Sequence, residues 1–504
     1  MQNSVLEYFE RTVKQFPDKI AVCDQAGQVT FCELQKKAYE IMAQIKSRGN
    51  VKKEPVLVYL KKSWQSIAAF LGILYSGNFY TPTDVDFPFK KVDSVIEQLK
   101  PRYMITDTEH LLTLRENGMS DEIVINIDDA VQTVGEADCW EAIDTDVVYT
   151  LFTSGSTGVP KGVAISHRSI IDYIDWARET YQIGSEARIG NQAPFYFDNS
   201  TLDIYLMLST GATLYIIPDR CFTFPVKLLE YVREKEINFV FWVPSVFVNV
   251  ANKDLLKQMD CSCLKKILFA GEVMPNKHLN YWRNYIPNAL YSNLYGPTEI
   301  TVDCTYYIVD REFADDEPLP IGVPCRNSDV IILSDEDELI TEPDRTGELC
   351  VRGSSLAMGY WNNWEKTDEV FVQNPLNSHF PERIYRTGDL VYYNERNEIM
   401  FAGRKDFQIK HMGYRIEMGE IETAAGAIDE MSNVCVSYDT SEKKIILFYQ
   451  SEQSVSDRDI RKRLAGILPK YMLPAVYVKV DEFCFTANGK IDRKTMLDQY
   501  LIEK

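Results

Sequence analysis

Ten residues between two apolar runs, Thr153-Ser154-Gly155-Ser156-Thr157-Gly158-Val159-Pro160-Lys161-Gly162, hold three glycines, four hydroxyl side chains, one proline and one lysine. That composition suits the cradling of phosphate. Glycines at 155, 158 and 162 let backbone N–H groups approach an anion, Thr153, Ser154, Ser156 and Thr157 add hydroxyl donors, and Lys161 adds a mobile positive charge. The P-loop pattern G-x-x-x-x-G-K-[ST] does not fit, because Pro160 stands where a Gly is required and Lys161 is followed by Gly162. The segment therefore reads as a triphosphate loop of another kind. A flexible surface linker has similar composition, but here both flanks are strand-like and a lone Pro and Lys close the loop.

The elements that must hold this loop follow from periodicity. Val147–Phe152 before it is β-branched and aromatic, as in a buried strand. Upstream, helical patterns (5–16, 30–45, 64–76, 90–99) alternate with short apolar runs (19–22, 55–60, 103–106), which predicts α/β architecture with parallel sheets. Downstream, a helix over 169–181, a helix over 202–208 and a strand over 213–217 continue the alternation. The runs 239–245 and 266–270 are apolar enough to be interior strands covered on both faces. A further strand, 291–298, breaks at Tyr295-Gly296-Pro297-Thr298-Glu299. From 316 the runs shorten and turns multiply, as in an antiparallel sheet or small barrel. The domain boundary is expected at Gly403-Arg404-Lys405-Asp406, giving a core over 1–405 and a compact α+β lid over 406–504.

Length and composition bound the rest. A chain of 504 residues is too long for one core and predicts a large composite body with a smaller domain. A net charge of −20 argues against nucleic acid and anionic membranes as partners, so an anionic ligand needs a local positive site. The N-terminus has neither a basic start nor an apolar run, and no stretch is long enough for a membrane span. Eleven scattered cysteines, mostly in apolar surroundings, read as reduced thiols in a cytoplasmic protein. Five dispersed histidines predict no metal held by the protein alone.

The loop 153–162, the Tyr295–Glu299 break, Tyr385-Arg386-Thr387-Gly388-Asp389, Gly403-Arg404-Lys405-Asp406 and Asn488-Gly489-Lys490 occur in the order and approximate spacing of the adenylate-forming superfamily. The chain resembles its members nearly end to end, above all the amino-acid-activating domains of nonribosomal peptide synthetases. The resemblance implies the reaction R–COO⁻ plus ATP giving acyl-AMP and pyrophosphate, then transfer of the acyl group to a thiol. Two anions must meet, so their repulsion has to be neutralised. The resemblance gives that task to Lys490, and places Lys410, in the segment 408–420, at the second step. Glu299 is expected to hold the Mg²⁺ that accompanies ATP, with Thr153 nearby. Asp389 is expected on the ribose hydroxyls, Arg404 beside it, Tyr295 and Asn293 on adenine, and Gly271, Gly296 and Thr298 in the nucleotide site. Asp389 alone would read as a turn residue after Gly388. Asp406 falls at the family's hinge, and Gly413 is expected to make room for a pantetheine arm.

In amino-acid activators the residue matching Asp198 pairs with the substrate ammonium, and a buried carboxylate does call for a cation. Without the family Asp198 reads as a helix N-cap. The resemblance extends the pocket to Asn199, Leu202, Trp242, Leu268, Ala270, Leu294, Val302 and Asp303. Trp242 and the leucines suggest a small substrate, serine-, alanine- or glycine-like, with Asp303 accepting from a side-chain hydroxyl. The chain is also similar to D-alanine–carrier protein ligases, although Ala270 replaces their usual cysteine. An acyl-CoA synthetase for a non-amino acid and a nucleotide-binding scaffold are further alternatives, disfavoured by Asp198 and by Lys490, Glu299 and Asp389 respectively. The acceptor is expected to be a phosphopantetheinylated carrier protein in trans, with coenzyme A as the other option, and the chain is read as a monomer.

Overall fold

The structure is a computed structural model that describes residues 2–130, 139–155, 159–405, 408–451, 453, 455–484 and 491–504, of which Glu503 without its side chain. It is a mixed α/β fold in two compact units. The larger unit comprises Met1–Val85, Leu99–Phe152 and Gly162–Lys405; the smaller gathers Asp406–Lys504 with Asp86–Gln98 and Thr153–Lys161.

Among the described residues the larger unit carries three sheets, of nine, seven and five strands. At the centre of the nine-stranded sheet Phe239–Trp242 lies parallel to Lys266–Phe269, which lies parallel to Leu290–Tyr295. Side chains alternate across each strand. Phe239, Phe241, Leu268 and Leu294 join one core cluster, while Val240, Trp242, Ile267 and Phe269 join another. These strands are therefore covered on both faces, as their unbroken apolar runs require. The first cluster extends into the seven-stranded sheet, where Pro55–Tyr59, Phe79–Thr83 and Val147–Thr153 lie side by side. From Ser328 to Arg404 the named strands pair antiparallel, and Arg383–Tyr393 forms the long member of the five-stranded sheet.

Local signals explain most element ends. The helix Phe31–Ser47 starts on a capping box between Thr30 and Glu33. Two boundaries differ from expectation: the strand expected over 239–245 stops at Trp242, and Pro244 opens the helix Pro244–Asn252, where its fixed φ and missing N–H are harmless. The strand expected over 291–298 ends at Tyr295, and Thr298–Ile300 forms a short 3₁₀ turn.

The smaller unit has its own core, built from Ile416, Ile421, Val436, Leu447, Ile460 and Leu464. The hairpin Gln408–His411 and Tyr414–Glu417 turns at Met412 and Gly413, with φ of 52° and 82°. Two positive φ values are what a tight two-residue hairpin loop demands, and they give Gly413 a structural reason of its own. Within this unit Lys91 pairs with the buried carboxylate of Glu420. No helix of the described residues is long and apolar enough to cross a membrane.

Candidate active site

In the larger unit, motifs far apart in sequence converge on the break at Tyr295–Glu299. Leu290–Tyr295 is a buried strand, and beyond it the backbone folds back on itself. A Cβ at Gly296 would lie 2.3 Å from the Val302 carbonyl oxygen, so no other residue fits there. Thr301 and Val302 both hold left-handed backbones, with φ of 61° and 74°. For β-branched residues that is strained, and such strain persists only where surroundings over-determine it. Here Thr301 Oγ1 donates to the Ser355 carbonyl and Ala357 N–H to the Glu299 carbonyl, both at 2.8 Å.

Tyr295 donates its phenolic hydrogen to Asp389 Oδ2, and Arg404 Nη1 donates to Asp389 Oδ1 at 2.6 Å. Asp389 sits inside the strand Arg383–Tyr393, opposite Arg404 on the neighbouring strand, and not in a turn. Three motifs thus meet on one carboxylate. Burial, reinforced by Asp389, pushes the Tyr295 phenol far above its ordinary range, so it stays a donor. Asn293 Nδ2 donates to the Pro320 carbonyl at 2.8 Å. Gly271 follows the strand Lys266–Phe269 with φ of 90°.

Three residues beyond Tyr295, Thr298 Oγ1 donates to Asp198 Oδ2 at 2.7 Å. Asp198 does not cap the helix Asn199–Thr210 that follows it; its backbone is already helical and its side chain makes no cap bond. Glu299 is fully buried and accepts from the Tyr360 hydroxyl at 2.7 Å.

Of the expected pocket walls, Leu202, Leu268, Ala270, Leu294 and Val302 fall in one core cluster. Trp242 does not join them. It lies on the opposite face of the sheet, packed against Phe222 and Phe247, with its indole N–H donating to the Gly190 carbonyl at 2.7 Å. The reason is strand alternation: Phe241, paired in register with Leu268, is the residue of that strand that shares a core cluster with Leu268, Ala270 and Leu294. Asn199 is buried, and its Nδ2 has no hydrogen-bond partner. Asp303 Oδ2 already accepts from Tyr173 at 2.6 Å.

In the smaller unit, Ser154 Oγ donates to the Arg415 carbonyl at 2.9 Å and accepts from the Glu417 N–H at 3.2 Å. Thr153 Oγ1 is buried without a partner. Gly155 is buried, and Lys161 opens the strand Lys161–Ser166. Lys410 is partly buried in the hairpin, opposite Arg415. Ser156, Thr157, Gly158, Asp406 and Lys490 lie outside the described residues.

The model of the AMP-binding enzyme family matches residues 9–361. The chain belongs to that family. It is an adenylate-forming ligase of the nonribosomal-peptide-synthetase adenylation type, 31% identical over 512 residues to zwittermicin A synthase ZmaJ of Bacillus cereus, covering 98% of this chain and 95% of that one. Tyrocidine synthase 1 of Brevibacillus parabrevis is 29% identical over 98% of this chain, which spans only 45% of it. The adenylation domain AlmE of Vibrio cholerae, solved with glycyl-adenosine-5′-phosphate, matches with a TM-score of 0.87 at 20% identity, over 100% of this chain and 98% of that one. That likeness is one of fold.

Sequence reasoning did not single out three residues that the structure sets against the expected ones. Phe241 has a signal in the period-two alternation of its strand, but only the register with Leu268 reveals which face it takes. Tyr173 and Tyr360, which hold Asp303 and Glu299, come from a helix and a strand remote in sequence and carry no local signal.

Proposed function

We propose that the chain activates a small amino acid, serine-, alanine- or glycine-like, as its aminoacyl-AMP and passes it to the phosphopantetheine thiol of a carrier protein in trans. The hydrogen bond from Thr298 to Asp198 carries this reading. It ties Asp198, in Phe197-Asp198-Asn199-Ser200, to the break at Tyr295–Glu299, so an α-ammonium resting on Asp198 sets the neighbouring carboxylate toward the α-phosphate.

In this reading Asp389 accepts from both ribose hydroxyls, Arg404 holds Asp389, and Tyr295 and Asn293 flank the adenine, while Gly271, Gly296 and Thr298 shape the nucleotide site. The loop 153–162 with Lys161 cradles the phosphates. Glu299, a hard oxygen donor in the larger unit, suits a Mg²⁺ ion that neutralises phosphate charge. A carboxylate oxygen of the substrate attacks the α-phosphorus, the bond to the β-phosphate oxygen breaks, and pyrophosphate leaves. Lys490 screens the two anions as they close. The thiol then displaces AMP from the acyl carbon, with the region 406–504 rotating about Asp406 to withdraw Lys490 and bring Lys410 and Gly413 forward.

Phe241 supports a small substrate in place of Trp242. Because Asp303 accepts from Tyr173, a serine-type contact there has to share that carboxylate. All eleven cysteines are free, which supports a reducing compartment such as the cytoplasm.

Amino-acid-dependent ATP–pyrophosphate exchange tests the proposal, across both enantiomers of Ser, Ala and Thr, Gly, larger residues and acids without an amine. A maximum at a small L-residue or Gly is the expected result. A maximum at D-Ala would move the protein to the D-alanine ligases despite Ala270, and exchange only with amine-free or bulky acids would overturn the role of Asp198.

A further inference from the structure

One turn beyond Asn199 and next to Leu202, the same helix carries an acid with no role in the reaction above. Asp203 lies in Asn199–Thr210 and is fully buried. Its Oδ2 accepts from Asn191 Nδ2 at 2.9 Å. Asn191, equally buried, ends the strand Arg188–Asn191, and its second amide hydrogen goes to the Ala193 carbonyl at 3.2 Å. A carbonyl can only accept, so the orientation of the Asn191 amide is settled.

Two atoms of this pair are left over, and both are acceptors. Asp203 Oδ1 and Asn191 Oδ1 are each buried without a hydrogen-bond partner. Two orphaned acceptors in one core pair would be an expensive defect, since each forgoes its hydration. A single proton removes both. A carboxylic acid facing a primary amide closes a ring of two antiparallel hydrogen bonds, and only the acid can supply the second hydrogen.

We propose that Asp203 is held as the neutral carboxylic acid in a reciprocal pair with Asn191, Asn191 Nδ2–H donating to Asp203 Oδ2 and Asp203 Oδ1–H to Asn191 Oδ1, and that this pair positions the helix bearing Asn199 and Leu202. Lys62 is the charged group that acts on Asp203 from a neighbouring element; its ammonium donates to the Gln192 carbonyl at 3.1 Å and lies 3.5 Å from Asp219. Burial outweighs Lys62 and the Asn191 hydrogen bond and pushes the Asp203 carboxyl up to about 8. Asp203 is thus a positioning residue. Its effect on substrate rests on Asp198, Asn199 and Leu202 forming the amino-acid site, whereas the pair itself does not.

Infrared spectroscopy on protein labelled with ¹³C-aspartate tests the pair without any assay of activity. A protonated-carboxyl band present at pH 7, titrating away near pH 8 and missing in Asp203→Asn, is expected; its absence from the wild type at pH 7 overturns the proposal even where the variant fails to fold. Asp203→Asn keeps both hydrogen bonds as an amide pair and should leave the amino-acid KM within about twofold of wild type, without the rise in KM expected of the wild type as Asp203 loses its proton above about pH 8. Asp203→Ala should raise that KM roughly tenfold or more. Equal damage from both substitutions would show that charge, paired with Lys62, is what the site needs. A band at pH 7 with no KM change in Asp203→Ala would leave the pair standing and overturn its positioning role.

Discussion

Thr298 hands its hydroxyl hydrogen to Asp198 across 2.7 Å and 100 residues of sequence. Through it Asp198 is held against the backbone break at Tyr295–Glu299. Removing the donor with Thr298→Val costs a hydrogen bond to a charged group, about 1.5–3 kcal/mol, and should raise the amino-acid KM roughly 10- to 100-fold. The KM for ATP should move far less. Exchange kinetics with each substrate varied separately will tell, and equal rises in both would show that the two motifs act as one site.

Asp389 and Arg404 form a nearly buried pair, with 3% and 13% side-chain exposure. Taking away the guanidinium with Arg404→Met leaves a buried carboxylate uncompensated and should lower stability by about 3–5 kcal/mol. Asp389→Asn in the same chain should recover part of that loss. Denaturant unfolding of the two single variants and the double variant closes the cycle, and an additive result would deny the coupling.

The strand Phe239–Trp242 gives a direct contrast between its two faces. Trp242→Phe should destabilise by loss of the Gly190 hydrogen bond, about 1 kcal/mol or more, with amino-acid preference unchanged. Phe241→Ala should shift preference toward larger side chains. The exchange panel on both proteins is the check; a changed preference in the tryptophan variant would return Trp242 to the pocket.

How much of this was legible in the sequence divides along the same line. The alternation of helices and strands up to residue 217 follows from periodicity, whereas the helices Pro225–Glu234, Pro244–Asn252 and Asn276–Tyr285 are not read from it; the meeting of Tyr295, Asp389 and Arg404 accords with the motif resemblance. The face taken by Trp242 follows from neither, because strand alternation defines two faces but only the register with Lys266–Phe269 tells which one is shared with Leu268. Asp198 and Asp389 each had a local alternative, cap or turn, and such alternatives are decided by where a side chain is directed, which no spacing encodes. The neutral Asp203 lies deeper still, since its charge state depends on two orphaned acceptors that exist only once helix and strand have met.

Lys490 awaits a kinetic test of its proposed role. Lys490→Ala should lower adenylation by several orders of magnitude and leave thiol transfer from preformed adenylate largely intact. Single-turnover measurements of each half-reaction separate the two, and equal loss in both would contradict the exchange of groups about Asp406.

His167 sets an acid limit on the fold. It is buried, its Nδ1 accepts from the Val5 N–H at 3.1 Å, and burial pushes its imidazole down to about 4. The unfolded chain titrates near 6.5, so the native state binds fewer protons in between. The contribution of His167 is therefore complete above about pH 6.5 and is lost as pH falls through about 4, amounting to about 3 kcal/mol. Thermal unfolding from pH 7 to pH 4 should show this drop in wild type and a smaller one in His167→Gln.

The nine-stranded sheet also sets a clock on biosynthesis. Ile20–Cys23, near the start of the chain, is flanked on one side by its local partner Gln28–Thr30 and on the other by Thr213–Ile216, with Ile20 and Thr213 bonded across 193 residues. At a synthesis rate of about 5–20 residues per second, the apolar edge of the first strand stays open for roughly 10–40 s before its partner leaves the ribosome. For that interval the nascent chain presents an unpaired strand edge, the kind of surface that pairs with other chains and that chaperones cover.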